Sequence, residues 1–331
     1  MNMQGQLAAW GFDFSGPGGQ LTFSMPVKFG QGISAGLGRG KIFFVDAENG
    51  SDSRTGATPT QAMQTVAAAF AKCTEDRNDA VVMLGTSTTF TITDTLAWNK
   101  RHTHLIGLAA PTPNSRARIT VSGTDSATAG LVVSVDGCIF ANFRIYQGTS
   151  LAGCGAIEVS GNRNYFHNVD IQGQVGALAK ASATAYSLKL NGAEECRFEK
   201  CTIGIDTVKR TDGQILLLDG SCARNEFLDC FFRSYCETAA KPMVKVNDTT
   251  ALDRSLLFKN CIFYNFYENH GGTLNTCFSV PANCQTHDII LIGCWLVGIA
   301  EWESGDRGQM FMSMTVPTAE DGGVTVEPVN T

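Results

Sequence analysis

The feature that most limits how this chain can fold is a short pattern that returns about every thirty residues. Six stretches align: CIFANFRIYQ (138–147), NYFHNVDIQG (164–173), CRFEKCTIGI (196–205), NEFLDCFFRS (225–234), LLFKNCIFYN (256–265) and IILIGCWLVG (289–298). Each reads aromatic or Leu, one variable residue, a polar residue or Gly, then Cys or another apolar residue, one variable residue and a further apolar one. The aligned positions are Phe143, Val169, Cys201, Cys230, Cys261 and Cys294, separated by 26, 32, 29, 31 and 33 residues. Upstream of the units lie alternating stretches such as AIEVSG (156–161), YSLKLNG (186–192), QILLLDG (214–220), PMVKVND (242–248) and CFSVPAN (277–283). Alternation with period two marks strands, and the Gly, Asn and Asp clusters between them mark turns. No unit holds a helix-length periodic segment, which excludes helical and leucine-rich repeats. Propeller blades need four strands in roughly 40 residues, so two or three strands per unit favour a β-solenoid.

Stacking decides how the cysteines are read. The chain has 12 of them, and the Cys230 stretch, FLDCFFRS, poses the alternatives of metal ligand, disulfide half, nucleophile or small apolar filler. The closest pairs, Cys196/Cys201, Cys230/Cys236 and Cys277/Cys284, are too widely spaced for the paired ligands of a structural zinc site. The N-terminus has no Lys or Arg before Lys28 and no continuous apolar stretch, so it does not read as a secretory signal. Synthesis in a reducing host cytoplasm is expected, which disfavours six disulfides. In a parallel solenoid, equivalent residues stack at about 4.8 Å per coil, and a small thiol tolerates self-stacking. Cys201, Cys230, Cys261 and Cys294 are therefore expected to form an internal ladder. Phe227, Cys230 and Phe232 should point inward, Leu228 and Phe231 outward, with Arg233 at the following bend. Outward Leu and Phe would mark a contact surface. The residues before the ladder, Asn142, Asn168, Lys200, Asp229, Asn260 and Gly293, suit bends in which short polar side chains bond local backbone.

These residues together resemble the pectate-lyase-like superfamily of right-handed parallel β-helices. IFFVDAENGSDSRTGATP (42–59) followed by TQAMQTVAAAFAKC (60–73) is similar to the module that opens phage tailspikes and related β-helix proteins, where a turn leads into a capping helix. The resemblance implies an all-β fold: a single-stranded right-handed parallel β-helix with an N-terminal capping α-helix and an extended Gly-rich N-terminal arm. Thr58-Pro59-Thr60-Gln61 offers a capping box with an early Pro. Ala62, Val66, Phe70 and Cys73 would then share the helical face that plugs the solenoid. AVVMLG (80–85), TFTITDTLAW (89–98) and THLIGLAAP (103–111) would be the first coils. The layout expected is an arm over 1–40, a β-helix over 41–298 with its capping helix at 58–73, and a C-terminal cap or inter-subunit segment over 299–331.

Functional signals are sparser. Enzymes of this superfamily use clustered Asp with Ca²⁺ and Arg, or paired acids. Here Asp170, Glu194, Glu195, Asp206, Asp212, Asp219 and Asp229 fall at different phases of the repeat. Asp206, Lys209, Arg210 and Asp212, in IDTVKRTDG, form the best candidate carbohydrate loop. Glu268-Asn269-His270-Gly271-Gly272 is a second polar loop. Asp46, Asn49 and Asp52 read as self-bonding turn residues around Gly50. No catalytic residue, cofactor or metal site is assigned, and the sequence favours a non-enzymatic role. The arm carries Trp10, Phe12, Phe14, Leu21, Phe23, Val27 and Phe29, too many apolar residues for a solvated linker. Either it packs along the solenoid as a strand or it anchors the chain to another protein. A net charge of −6 argues against nucleic acid, and no apolar run approaches the ~20 residues of a membrane span. The expected role is that of a bacteriophage virion protein: a homotrimeric capsid decoration or cement protein held by Trp10, Phe12, Phe14, Leu21, Phe23 and Phe29 on the major capsid protein or another virion protein. A tailspike-like polysaccharide lyase or hydrolase and a non-catalytic carbohydrate-binding β-helix are the alternatives.

Overall fold

Three strands per turn, joined by sharp corners, wind the repeat into a parallel β-helix. The computed structural model describes residues 40–122, 128–238, 241–266, 274–282, 287–303 and 310–313, with short strand pieces at 12–13, 22–23, 28–29, 33–34 and 326–328. One coil shows the path: Arg197–Glu199 in sheet 1, Thr202–Arg210 in sheet 2, Gln214–Asp219 in sheet 3, then Asn225–Leu228 back in sheet 1. Sheet 1 has eleven strands and sheets 2 and 3 have eight each. The coil-to-coil pairings are parallel and in register, as in Phe198↔Phe227, Ile203↔Phe232 and Leu188↔Leu216. Crossovers between parallel strands are right-handed, which gives the solenoid its hand.

Register turns the repeat into ladders. Phe140, Phe166, Phe198, Phe227 and Phe258 stack down the inner face of sheet 1, with successive ring centroids 4.7, 4.6, 4.7 and 5.0 Å apart. Each buried ring contributes roughly 1.5–3 kcal/mol of transfer free energy. The thiols of Cys201, Cys230, Cys261 and Cys294 form the expected ladder. Each donates to two carbonyls, one from its own coil and one from the coil before, as Cys230 does to Leu228 (3.4 Å) and Phe198 (3.3 Å). The eleven described cysteines are all free, and burial pushes Cys230 well above the ordinary thiol range.

The bends are sharper than local side-chain bonding explains. Asn142, Asn168, Lys200, Asp229, Asn260 and Gly293 all adopt left-handed backbone, with φ between 50° and 61°. Asn and Asp tolerate this conformation better than other non-Gly residues. Their side chains bond across coils rather than locally: Asn168 Nδ2 donates to Asn142 Oδ1 at 3.1 Å and Asn260 Nδ2 to Asp229 Oδ1 at 3.0 Å.

Four expectations change. Thr58 caps nothing, because Pro59–Gln61 is a single 3-10 turn and the α-helix runs only Val66–Lys72, capped by Thr65. The chain stays extended through Met63, which bridges Val45, while the Asp52 carboxylate accepts from the Gln64 and Thr65 amides. Val66 and Phe70 do plug the core: Phe70 stacks on Trp98 at 4.1 Å, and Lys100 Nζ binds the last carbonyls of the helix. Second, Arg233 lies inside strand Phe231–Cys236, not at a bend. Third, IDTVKRTDG (205–213) is mostly strand, its residues 205–210 completing the long sheet 2 strand Thr202–Arg210. Fourth, coil stacking continues beyond residue 298 through Ile299–Glu303 and Met310–Ser313, and Val326–Pro328 pairs antiparallel with the latter. In the arm, Phe12 pairs with Phe23, and Phe29 with Ile33; Trp10, Phe14, Leu21 and Val27 lie outside the described residues, as does the 268–272 loop.

Candidate functional site

Two residues after each corner, the side chain emerges on the outer face of sheet 2. Down the solenoid this column reads Arg144, Asp170, Thr202, Phe231, Ile262 and Trp295, preceded by Arg118. Four residues after each corner a second column reads Tyr146, Gln172, then, from the next strands, Gly204, Arg233, Tyr264 and Val297. Both columns are polar and charged in the early coils and apolar at the end.

Asp170 centres the polar half. It faces outward yet is only 4% exposed, because the segment after His104–Leu108 folds over it and the Asn114 amide donates to Asp170 Oδ2 at 3.1 Å. Gln172 Nε2 donates to the same oxygen at 2.8 Å, Arg233 Nη2 reaches Oδ1 at 3.2 Å, and Arg144 Nε lies 3.9 Å from Oδ2. Arg144 Nη2 donates to Gln172 Oε1 at 2.5 Å, and its guanidinium sits 5.1 Å from the centre of the Tyr146 ring. Burial pulls the Arg144 pKa below its ordinary value, against the Asp170 charge, and its Nε has no hydrogen-bond partner. Gly204 is required beside Arg233: at φ 96° its Cβ would come within 2.1 Å of the Arg233 carbonyl oxygen. Arg233 also pairs with Asp206 at 3.6 Å.

With donors on both of its oxygens, the Asp170 carboxylate is locked in place and turned toward its own partners. Three arginines (118, 144 and 233) against two aspartates (170 and 206) leave an excess positive charge, so the cluster suits an acidic group approaching its rim better than it suits hydrolysis by paired acids.

The four residues of the predicted carbohydrate loop divide. Asp206 joins the Asp170 cluster through Arg233. Lys209 pairs with Glu237 and sits 5.7 Å from the Tyr235 ring centre. Arg210 is buried and ties the corner together, donating to Ser234 Oγ and to the carbonyls of Gly213, Lys241 and Pro242; burial lowers its pKa. Burial would raise Asp212, but the Lys241 ammonium at 2.7 Å and the Gly213 amide outweigh it and hold the carboxyl below its ordinary value. The remaining acids are partnered: Glu194 and Glu195 with Arg224, Asp219 with Lys189, Asp229 with Asn260. Asp46 accepts from the amides of Glu48 and Asn49, as its turn reading requires. Among the described residues, no three His, Cys, Asp or Glu side chains converge as metal ligands.

Sequence reasoning missed Arg144, Gln172 and Arg233. The signal was in the alignment, but in its columns: the residues two and four past each corner stack, whatever their distance along the chain.

Coil geometry, corner residues and inner ladders define a right-handed parallel β-helix. No protein-family model matches the chain, and no curated protein sequence matches it. Among solved structures it is similar to pectate lyase Pel9A (TM-score 0.54, 14% identity, 77% of this chain and 63% of that one). It is also similar to a rhamnogalacturonan lyase (0.55, 13%, 78% and 68%) and to pectin methylesterase PemA from Erwinia chrysanthemi (0.50, 13%, 87% and 85%). The chain spans less than two thirds of the pectate lyase. At these identities the likeness is one of fold.

Proposed function

We propose that this chain is a structural protein of a bacteriophage virion, a trimeric capsid decoration or cement protein attached through its N-terminal arm. The observation that carries this reading is the apolar end of the sheet 2 columns. Trp295 is 69% exposed, and Ile262, Val297, Phe266 and the sheet 1 residue Ile292 are exposed beside it. Scattered exposed apolar residues need no explanation, but a contiguous patch marks an interface. Four of its five residues lie on the outer face of sheet 2 and Ile292 carries it over the corner into sheet 1, a surface that neighbouring copies around a common axis can cover. Exposed Asp229 and Lys259, one coil apart on the same edge, give opposite charges that neighbouring copies can pair. The resemblance of residues 42–73 to the opening module of phage tailspikes, the apolar arm and the saturated Asp170 carboxylate support the same reading.

Light scattering tests it. The full chain should run at three times its 35.4 kDa mass and co-purify with virions, and Ile262→Asp/Trp295→Asp should run as a monomer. A wild-type monomer that virions do not carry would sink the proposal.

A glycan-directed β-helix is the second reading, favoured by the Arg144–Asp170–Arg233 cluster. Turnover of an acidic polysaccharide by the wild type, abolished in Asp170→Asn, would establish it in place of the first.

A further inference from the structure

On the outer face of sheet 2, Arg118 and Arg144 are direct register partners, one rung apart. Ile119 and Ile145 beside them point into the core, so both arginine side chains leave the sheet on the same side. Rungs lie about 4.8 Å apart, and like charges placed directly opposite each other are destabilising. Elsewhere the coils set an acid against an arginine. Arg197 faces Glu226 in register and bonds it at 2.7 Å, and Arg224 pairs with Glu194 at 2.9 Å.

The nearest acid is committed to other partners. Asp170 is the next rung of the column, and its oxygens accept from Asn114, Gln172 and Arg233. It stands 3.9 Å from Arg144 Nε, which has no hydrogen-bond partner. Half-buried Arg118 gives Nη2 to a neutral acceptor, the Ser87 carbonyl, at 2.7 Å, and among the described residues no carboxylate pairs with it. Burial lowers the Arg144 pKa, and the charges of Arg118 and Arg233 add to that effect. The positive strip is also short. Thr89, bonded to the Arg118 carbonyl and to Thr120, lies on one side of it and Asp170 on the other. A second anion one rung further along would meet Asp170. The pair therefore suits an isolated anionic group and not a polyanion lying along the axis.

We infer that Arg118 and Arg144 form a two-armed clamp for a single oxyanion, a carboxylate, sulfate or phosphate group, on the outer face of the early coils. Two guanidiniums offer such a group charge-assisted N–H donors on more than one oxygen. Thr91, Thr120 and Tyr146, in register in the adjoining column, place hydroxyls beside it for a polar remainder of the ligand. The clamp stands on the arginine geometry. That the group hangs on a sugar rests on the glycan-directed reading.

An NMR titration of the full chain tests it, with inorganic sulfate as the probe and chloride holding the ionic strength constant. The Nε–Hε signals of Arg118 and Arg144 should shift together and saturate, while that of Arg197 stays put. Arg118→Gln, which touches none of the Asp170 contacts, should weaken sulfate binding at least tenfold. Arg144→Gln should do the same, and Arg144→Lys should recover part of the loss. Arg197→Gln, the same charge change on sheet 1, should leave the affinity unaltered. Shifts that chloride reproduces, full affinity in Arg118→Gln, or an equal loss in Arg197→Gln would overturn the inference. A uronic acid oligosaccharide and its carboxyl-reduced counterpart then distinguish the source of the group. Displacement of sulfate by the acidic form alone assigns it to a glycan. Sulfate that neither form displaces upholds the clamp and counts against the glycan-directed reading.

Discussion

The early and late coils have the same inside and opposite outsides. Inside, Phe166 on Phe198 (4.6 Å) and Phe227 on Phe258 (5.0 Å) are nearly interchangeable rungs. Outside, one column carries Arg144 and Asp170 in the early coils and Ile262 and Trp295 in the last ones. An inward position must stack on copies of itself, so the fold restricts it tightly. An outward position is limited only by what it meets. The change from ion cluster to apolar patch therefore reports on partners, not on the fold.

If the interiors are equivalent, equal cuts should cost equally. Phe198→Ala and Phe258→Ala should each lower stability by about 3–5 kcal/mol, the range for a truncated buried aromatic, measured by denaturant unfolding. A difference of more than about 2 kcal/mol between them would show that one end is held by something other than its ladder.

The outsides should respond differently. Asp170→Asn leaves Arg144 and Arg233 without their central charge. Removing one partner of a buried ion pair costs roughly 3–5 kcal/mol, and the partial exposure of both arginines reduces the expectation to about 3 kcal/mol. Its register equivalent in the apolar half, Ile262→Asn, should be near neutral in the isolated chain. Comparable losses at both positions would mean that the two halves are not distinct.

A third contrast is in pH. Burial lowers His104, an outward residue of the early coils, from its ordinary 6.5 to about 4, and its Nδ1 accepts from the Ile139 amide. The unfolded chain takes up this proton near pH 6.5 and the folded chain only near 4. Stability should therefore fall as pH drops through that window, by about 3 kcal/mol, and level off below it. His104→Gln should lose most of that slope. If the slope persists unchanged, another early-coil group, such as His167, whose pKa burial also lowers, is its source.

Much of this was legible in the sequence, because a repeat that stacks on itself writes its core into the spacing. Cys201, Cys230, Cys261 and Cys294, together with Phe227 and Phe232, fall where alternation placed them. The capping helix was legible in kind but not in length, since Met63 is held extended by a bridge to Val45, a tertiary contact with no local signal. The Asp170 cluster was only half legible. Asp170 and Asp206 stood out as acids, but their meeting at Arg233 depends on which residues lie two and four past a corner. It also depends on a covering loop that pattern alone does not place.

The smallest expected effect is the most discriminating. Trp295→Ser removes the largest exposed apolar side chain of the patch. In a monomer it should change stability by less than about 0.5 kcal/mol, as surface substitutions do. In an assembly that buries the patch, a central Trp is the residue type whose truncation costs most, about 2 kcal/mol or more. Measured at low and high protein concentration, the variant should match the wild type when both are dilute. It should fall behind only where the wild type associates. A deficit that is independent of concentration would place Trp295 in the fold's own packing and remove the argument for an interface at this end.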